Sequence, residues 1–128
     1  MPTTPASAYA EAQIACAPPL KLVRLVNGGA VASLRGALAR LDAGDAAGFV
    51  RAASKAQSLV GELHANLDME RGAEVARQLD RLYSWATRAL VEATTRRDRR
   101  GIESVVQVLG TLQEGWDGIR DEAVSHGR

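Results

Sequence analysis

Apolar residues in this chain recur at steps of three and four, the spacing of a helix face. From about residue 19 to residue 42, Leu22, Val23, Val26, Ala30, Leu34, Ala37, Leu38 and Leu41 keep that spacing. Gly28-Gly29 interrupts the face, at about 1 kcal/mol per glycine relative to Ala. The pair predicts either a bend or a neighbour packed unusually close. A second helix, about 45–66, carries Phe49, Ala53, Ala56, Val60, Leu63 and Leu67 in three-four alternation, which is the pattern of a bundle seam. A third, about 72–95, turns Val75, Ala76, Leu79, Leu82, Tyr83, Ala86 and Leu90 inward, with Arg77, Arg81, Ser84 and Arg88 outward. In the fourth, after Asp98, the residues Ile102, Val105, Leu109, Leu112, Trp116, Ile119 and Ala123 occupy the a and d positions of successive heptads. No segment alternates with period two for long enough to make a strand.

The links carry capping chemistry. Gly44 is expected at the C-terminus of the first helix and Asp45 at the N-cap of the second. Asp68 is expected to cap the third, with Glu70 adding negative charge at its start, and Asp98 to cap the fourth. Helices of this length joined by short links must neighbour one another antiparallel. The expected fold is therefore all-α, an antiparallel up-down four-helix bundle with a short N-terminal cap segment. The opening MPTTPASA lacks an apolar period, and residues 8–17 suffice for one or two helical turns before Pro18-Pro19 stops them. The organisation expected is an N-terminal cap segment at 1–17, the bundle at 18–124 and a tail at 125–128.

Composition narrows the partners. A chain of 128 residues is one domain, and with aromatics at only 4% its core must be built from Ala, Leu and Val. The 16 basic and 15 acidic side chains balance along the chain, six of each sign in residues 1–70 and ten basic against nine acidic in residues 71–128. No electrostatic reason follows to expect nucleic acid or an anionic membrane as partner. A single Cys16 excludes an internal disulfide, and no apolar run approaches the roughly 18 residues of a membrane span or the layout of a signal peptide. Cytoplasmic localisation is the expectation.

Candidate chemistry is sparse. Phosphate-cradle, dinucleotide, nucleophile-elbow and HExxH patterns are absent, as are the Glu-x-x-His pairs of a di-metal bundle. His64 and Asp68 stand four apart across a helix end with Glu70 near. Local hydrogen bonds and caps are their expected use, ahead of a metal site. Cys16 has no basic neighbour to make a thiolate and reads as an inert thiol. Arg96, Arg97, Arg99 and Arg100 read as a solvated link, two of them favoured by a helix C-terminus. These features point away from an enzyme and call for no cofactor or metal. Trp85 lies two residues from Tyr83, about 200° around the helix. That leaves open whether it fills a flank or belongs to a binding surface.

The string NLDMERGAEVARQLDRLY, residues 66–83, followed by ATRALVEATTRRD, closely resembles the pattern of the FliS family, cytoplasmic chaperones of flagellin export. There a leucine-aspartate-methionine-glutamate turn precedes a small-residue helix start and a leucine-tyrosine pair, here Leu82-Tyr83. Tyr9, Gln13, Ile14, Ala17 and Pro19 fall where the family has similar residues. LQEGWDGIRDEA, residues 112–123, is similar to its closing helix. The resemblance covers about residues 8–124. Two departures are plain: where members usually carry leucine-tyrosine-aspartate-glycine, this chain has Val26, Asn27, Gly28 and Gly29, and the family's serine before proline is Pro18 here.

The resemblance implies a chaperone without ATP or cofactor. It would bind the C-terminal segment of flagellin, unfolded in the monomer, in apolar grooves between helices, prevent premature polymerisation, and deliver its client to an export gate component. A monomer that binds its client one to one is implied. The residues assigned to partner binding are Tyr9, Ile14, Leu63, Leu67, Met69, Leu79, Tyr83 and Trp85, with Tyr9 and Ile14 docking the N-terminal segment as a cap. Two other classes stay open. One is a divergent bundle adaptor for another secretion or regulatory protein, motivated by Asn27-Gly28. The other is a self-associating coiled coil, motivated by the heptads of the last helix.

Overall fold

The computed structural model describes Ala12 and residues 19–126, with residue 73 and residues 119–126 described by backbone alone. The expectations for Tyr9, Ile14 and Cys16, and for the side chains of Ile119 and Ala123, lie outside the described residues. Four helices follow in order, α1 (Leu20–Asp42), α2 (Ala46–Ala65), α3 (Ala73–Arg96) and α4 (Arg99–His126), and the described residues contain no strand element. Each packs on its chain neighbour, and α4 closes the ring on α1. Polar contacts fix the antiparallel sense. Arg24 near the start of α1 pairs with Asp117 late in α4, and Arg99 at the start of α4 reaches Asp42 at the end of α1, 3.0 Å away. The fold is the expected up-down helical bundle.

The core is a set of heptad seams. In α1 the buried positions are Leu20, Val23, Asn27, Ala30, Val31, Leu34 and Ala37. The seam thus passes through Asn27, which a hydropathy pattern treats as a gap. Leu22, expected in the stripe, is instead 49% exposed. The seam of α2 is as expected from Phe49 to Leu63, and α3 buries Ala76, Leu79, Tyr83, Ala86, Leu90 and Ala93. In α4, Ile102, Val105, Leu109 and Trp116 are buried, with Leu112 partly so. Ala12 is helical and buried with the same core.

The expected unusually close neighbour at Gly28-Gly29 is not found. The helix is continuous through both. A Cβ on Gly28 would meet Gln113 at 3.9 Å and one on Gly29 would meet Leu59 at 3.5 Å, which are ordinary contacts.

Caps set the element ends. Gly44 adopts φ +75, its N–H donates to the Leu41 carbonyl, and the Asp45 N–H donates to Arg40, the two bonds of a Schellman motif. Asp45 then accepts from the Gly48 N–H at 2.9 Å and so starts α2. Asp98 plays the same part for α4, accepting from the Arg100 N–H at 3.1 Å. Asp68 does not cap α3 itself. Its carboxylate accepts from the Arg71 N–H at 2.9 Å and its carbonyl from Gly72, closing a separate turn ahead of the helix. The N-cap position of α3 is Gly72, which offers no side-chain cap, and the acid in its first turn is Glu74.

Candidate binding site

The first turns of α1 and the last turns of α2 diverge around the side of α3, leaving an apolar cleft of about 330 Å³. Leu22, Val23 and Val26 supply one wall, Leu63, Glu62 and Asn66 the other, and Tyr83 the floor. Its size and apolar lining are those of a site that takes one or two side chains of a partner. The heptad seam explains the wall: Val23 points into the core, so Leu22 and Val26 flank it on the side facing out. Leu25, one turn on from Leu22, is 63% exposed and extends the apolar surface along α1.

The floor is held from behind. His64 Nε2 and Asp80 Oδ1 share a 2.7 Å hydrogen bond between α2 and α3, and the carboxylate can only accept, so the imidazole nitrogen donates. The same ring lies 6.1 Å from the Tyr83 ring, tilted by 51°. His64 therefore pairs with Asp80, not with Asp68. Among the described residues no group of three or more His, Cys, Asp or Glu is placed to hold a metal ion. At the α2 terminus, Asn66 returns its side-chain amide to the Glu62 carbonyl at 2.8 Å, satisfying one of the helix's last acceptors.

The residues assigned from sequence divide into groups. Leu63 and Tyr83 meet in the cleft. Leu67 is half-buried against the core at the end of α2, and Leu79 is buried one turn before Tyr83. Neither lines the cleft. Met69, 45% exposed, sits in the turn that Asp68 closes. Trp85, 37% exposed, is three residues from Leu82, which borders a second groove between α3 and α4 with Val108, Thr111 and Leu112. The sequence reading misses Leu22 and Leu25 as surface residues, and Val26, packed on the core as expected, also serves as cleft wall. Their signal is an apolar residue beside a seam position in a helix that already has a complete seam.

No helix among the described residues is long and apolar enough to cross a membrane. The sequence matches the family described as flagellar protein FliS over residues 2–123. It is 38% identical over 112 residues to the flagellar secretion chaperone FliSB of Pseudomonas aeruginosa, covering 85% of this chain and 86% of that protein. To the flagellar secretion chaperone FliS of Salmonella typhimurium it is 34% identical over 114 residues, covering 88% and 84%. To the protein of that name from Vibrio cholerae it is 26% identical over 112 residues, covering 88% and 82%. With the match running through all four helices and the turn before α3, the chain belongs to the FliS family of flagellar proteins.

Proposed function

We propose that this protein is a flagellar secretion chaperone that holds the C-terminal segment of flagellin in its inter-helix clefts until the client is passed to an export gate component. The names of its relatives support the secretion role. One observation carries the binding mode: the α1–α2–α3 cleft is apolar, ready-made and continuous with the exposed Leu22 and Leu25. An amphipathic segment gains by placing its apolar anchors on such a surface. Coupled folding of a client buries about 1,000–3,000 Å² and spends several kcal/mol on ordering, giving a complex that holds and still releases. The protein acts in the cytoplasm as a monomer and takes its client one to one, without cofactor. Among the described residues the α4 seam from Ile102 to Trp116 packs into the chain's own core, which favours the monomer over a self-associating coiled coil.

On this reading, removal of residues 1–17, the segment expected to act as a cap through Tyr9 and Ile14, raises client affinity.

Calorimetric titration with a flagellin C-terminal segment, with circular dichroism of the mixture, tests the reading. Sub-micromolar one-to-one binding with a gain in helix is expected, on the scale of about 8 kcal/mol or more. No binding to the organism's own flagellin overturns it.

A further inference from the structure

Glu62 is the only charged residue among the described residues that line the α1–α2–α3 cleft. Its carboxylate has no hydrogen bond or ion pair among them, whereas Glu74, Glu92 and Glu103 are each engaged by an arginine. Its position also works against the helix. Glu62 lies in the last turn of α2, where the peptide dipoles already concentrate negative charge and a carboxylate is disfavoured. The basic residue of that turn, His64, is directed to Asp80 on α3. Helix end and carboxylate therefore project negative potential together across the mouth of an apolar cleft.

We infer that Glu62 is a specificity determinant: the cleft takes a segment that seats an apolar side chain against Leu63 and Tyr83 while an adjacent arginine or lysine pairs with the Glu62 carboxylate. The inference rests on the chaperone reading and names the chemistry of the client segment at that site. Charge complementarity selects the occupant. Glu62 is itself exposed at the cleft mouth, so an acidic segment is repelled there and a purely apolar one gains nothing from it. A cation gains a charge-assisted bond. The pair lies at the rim, so it governs choice and encounter rate more than total affinity.

The test is a double-mutant cycle by calorimetry. The full chain and its Glu62→Gln variant are each titrated with the flagellin C-terminal segment and with versions in which each Arg or Lys is replaced in turn by Gln. The expected result is a loss of about fivefold for Glu62→Gln, diminished at higher salt. One substituted segment should be indifferent to residue 62, identifying the paired cation. The thermal midpoint of Glu62→Gln should be equal or higher, because the helix end is relieved, which a structural role for Glu62 would not give. If Glu62→Gln binds every segment as the parent does, the inference is overturned and the chaperone reading stands. If neither protein binds any segment, the chaperone reading fails and the inference with it.

Discussion

Asn27 of α1 donates through Nδ2 to the carbonyl oxygen of Leu109 in α4, 3.1 Å away, and the same nitrogen lies 2.6 Å from Gln113 Oε1. Asn27 is fully buried and is the only polar residue among the described buried side chains that line the core. One turn earlier, Arg24 Nε donates to Asp117 Oδ1 at 2.9 Å, so the α1–α4 seam is joined by successive polar ties. The departure from the family's usual residues at 26–29 is thus used inside the bundle. Within it Asn27 ties α1 to α4, while Val26 stands in the wall of the α1–α2–α3 cleft.

Replacing Asn27 by Ala removes the tie to Leu109, strands Gln113 and opens a small void. We expect a loss of about 1–3 kcal/mol in unfolding free energy, measured by urea denaturation followed by circular dichroism. Arg24→Gln removes a partly exposed pair and should cost under about 1 kcal/mol. Equal effects from the two substitutions would sink the assignment of Asn27 as the main tie.

Glycines in this fold differ by surroundings, not by helix position. A Cβ on Gly48 would come within 2.8 Å of the Asp45 carboxyl carbon and so evict the cap of α2, whereas Gly36 and Gly61 face open space. Gly48→Ala should cost about 1–2 kcal/mol, the worth of a lost N-cap. Gly36→Ala and Gly61→Ala should each stabilise by up to about 1 kcal/mol, by removing backbone entropy from the unfolded chain. Urea midpoints of the three variants, at constant slope, decide it.

Arg97 ends α3 in the left-handed region, with φ 53. An L-residue there bears roughly 1 kcal/mol of steric cost that glycine avoids. Arg97→Gly should therefore raise the thermal midpoint. Gly101→Ala, whose Cβ would stand 2.7 Å from the Ala93 Cβ, should lower it by forcing α3 and α4 apart. The contrast is sharp because Arg97 lies in the two-residue link between α3 and α4 and Gly101 in the first turn after it.

Much of this fold is legible from spacing because each helix is a heptad seam, and seams are periodic whatever their partners. The expected bounds lie within about one residue of those observed at α1, α2 and α3, and α4 starts directly after Asp98 as expected, a normal margin for helix ends. Two things escaped. Asn27 holds a seam position that a hydropathy pattern scores as polar, so the stripe was read through Leu22 and Val26 beside it. That same shift hid the cleft, since Leu22, assigned to the core, stands in its wall. Asp68 escaped differently. A cap is recognised by its distance to the first helical residue, and the extra turn at 68–72 moved that residue beyond reach.

The cleft separates residues whose substitution tests binding from those whose substitution tests folding. Tyr83 is 1% exposed, and Tyr83→Ala should cost about 3–5 kcal/mol in stability. Lost binding in that variant would say nothing of contact. Leu25 is mostly in water and Leu22 about half so, and Leu25→Ala should change stability by no more than about 0.5 kcal/mol and Leu22→Ala by no more than about 1 kcal/mol. On the chaperone reading, Leu22→Ala removes a wall that the client covers, and about 1–2 kcal/mol of buried apolar surface, roughly tenfold in Kd, is lost with it. Trp85→Ala measures whether the client also reaches the α3–α4 side. Titration of the flagellin C-terminal segment into the three variants, with urea midpoints alongside, resolves the surface. If Leu22→Ala leaves both affinity and stability unchanged, the client does not enter the α1–α2–α3 cleft. A loss confined to Trp85→Ala would move the docking surface to the second groove.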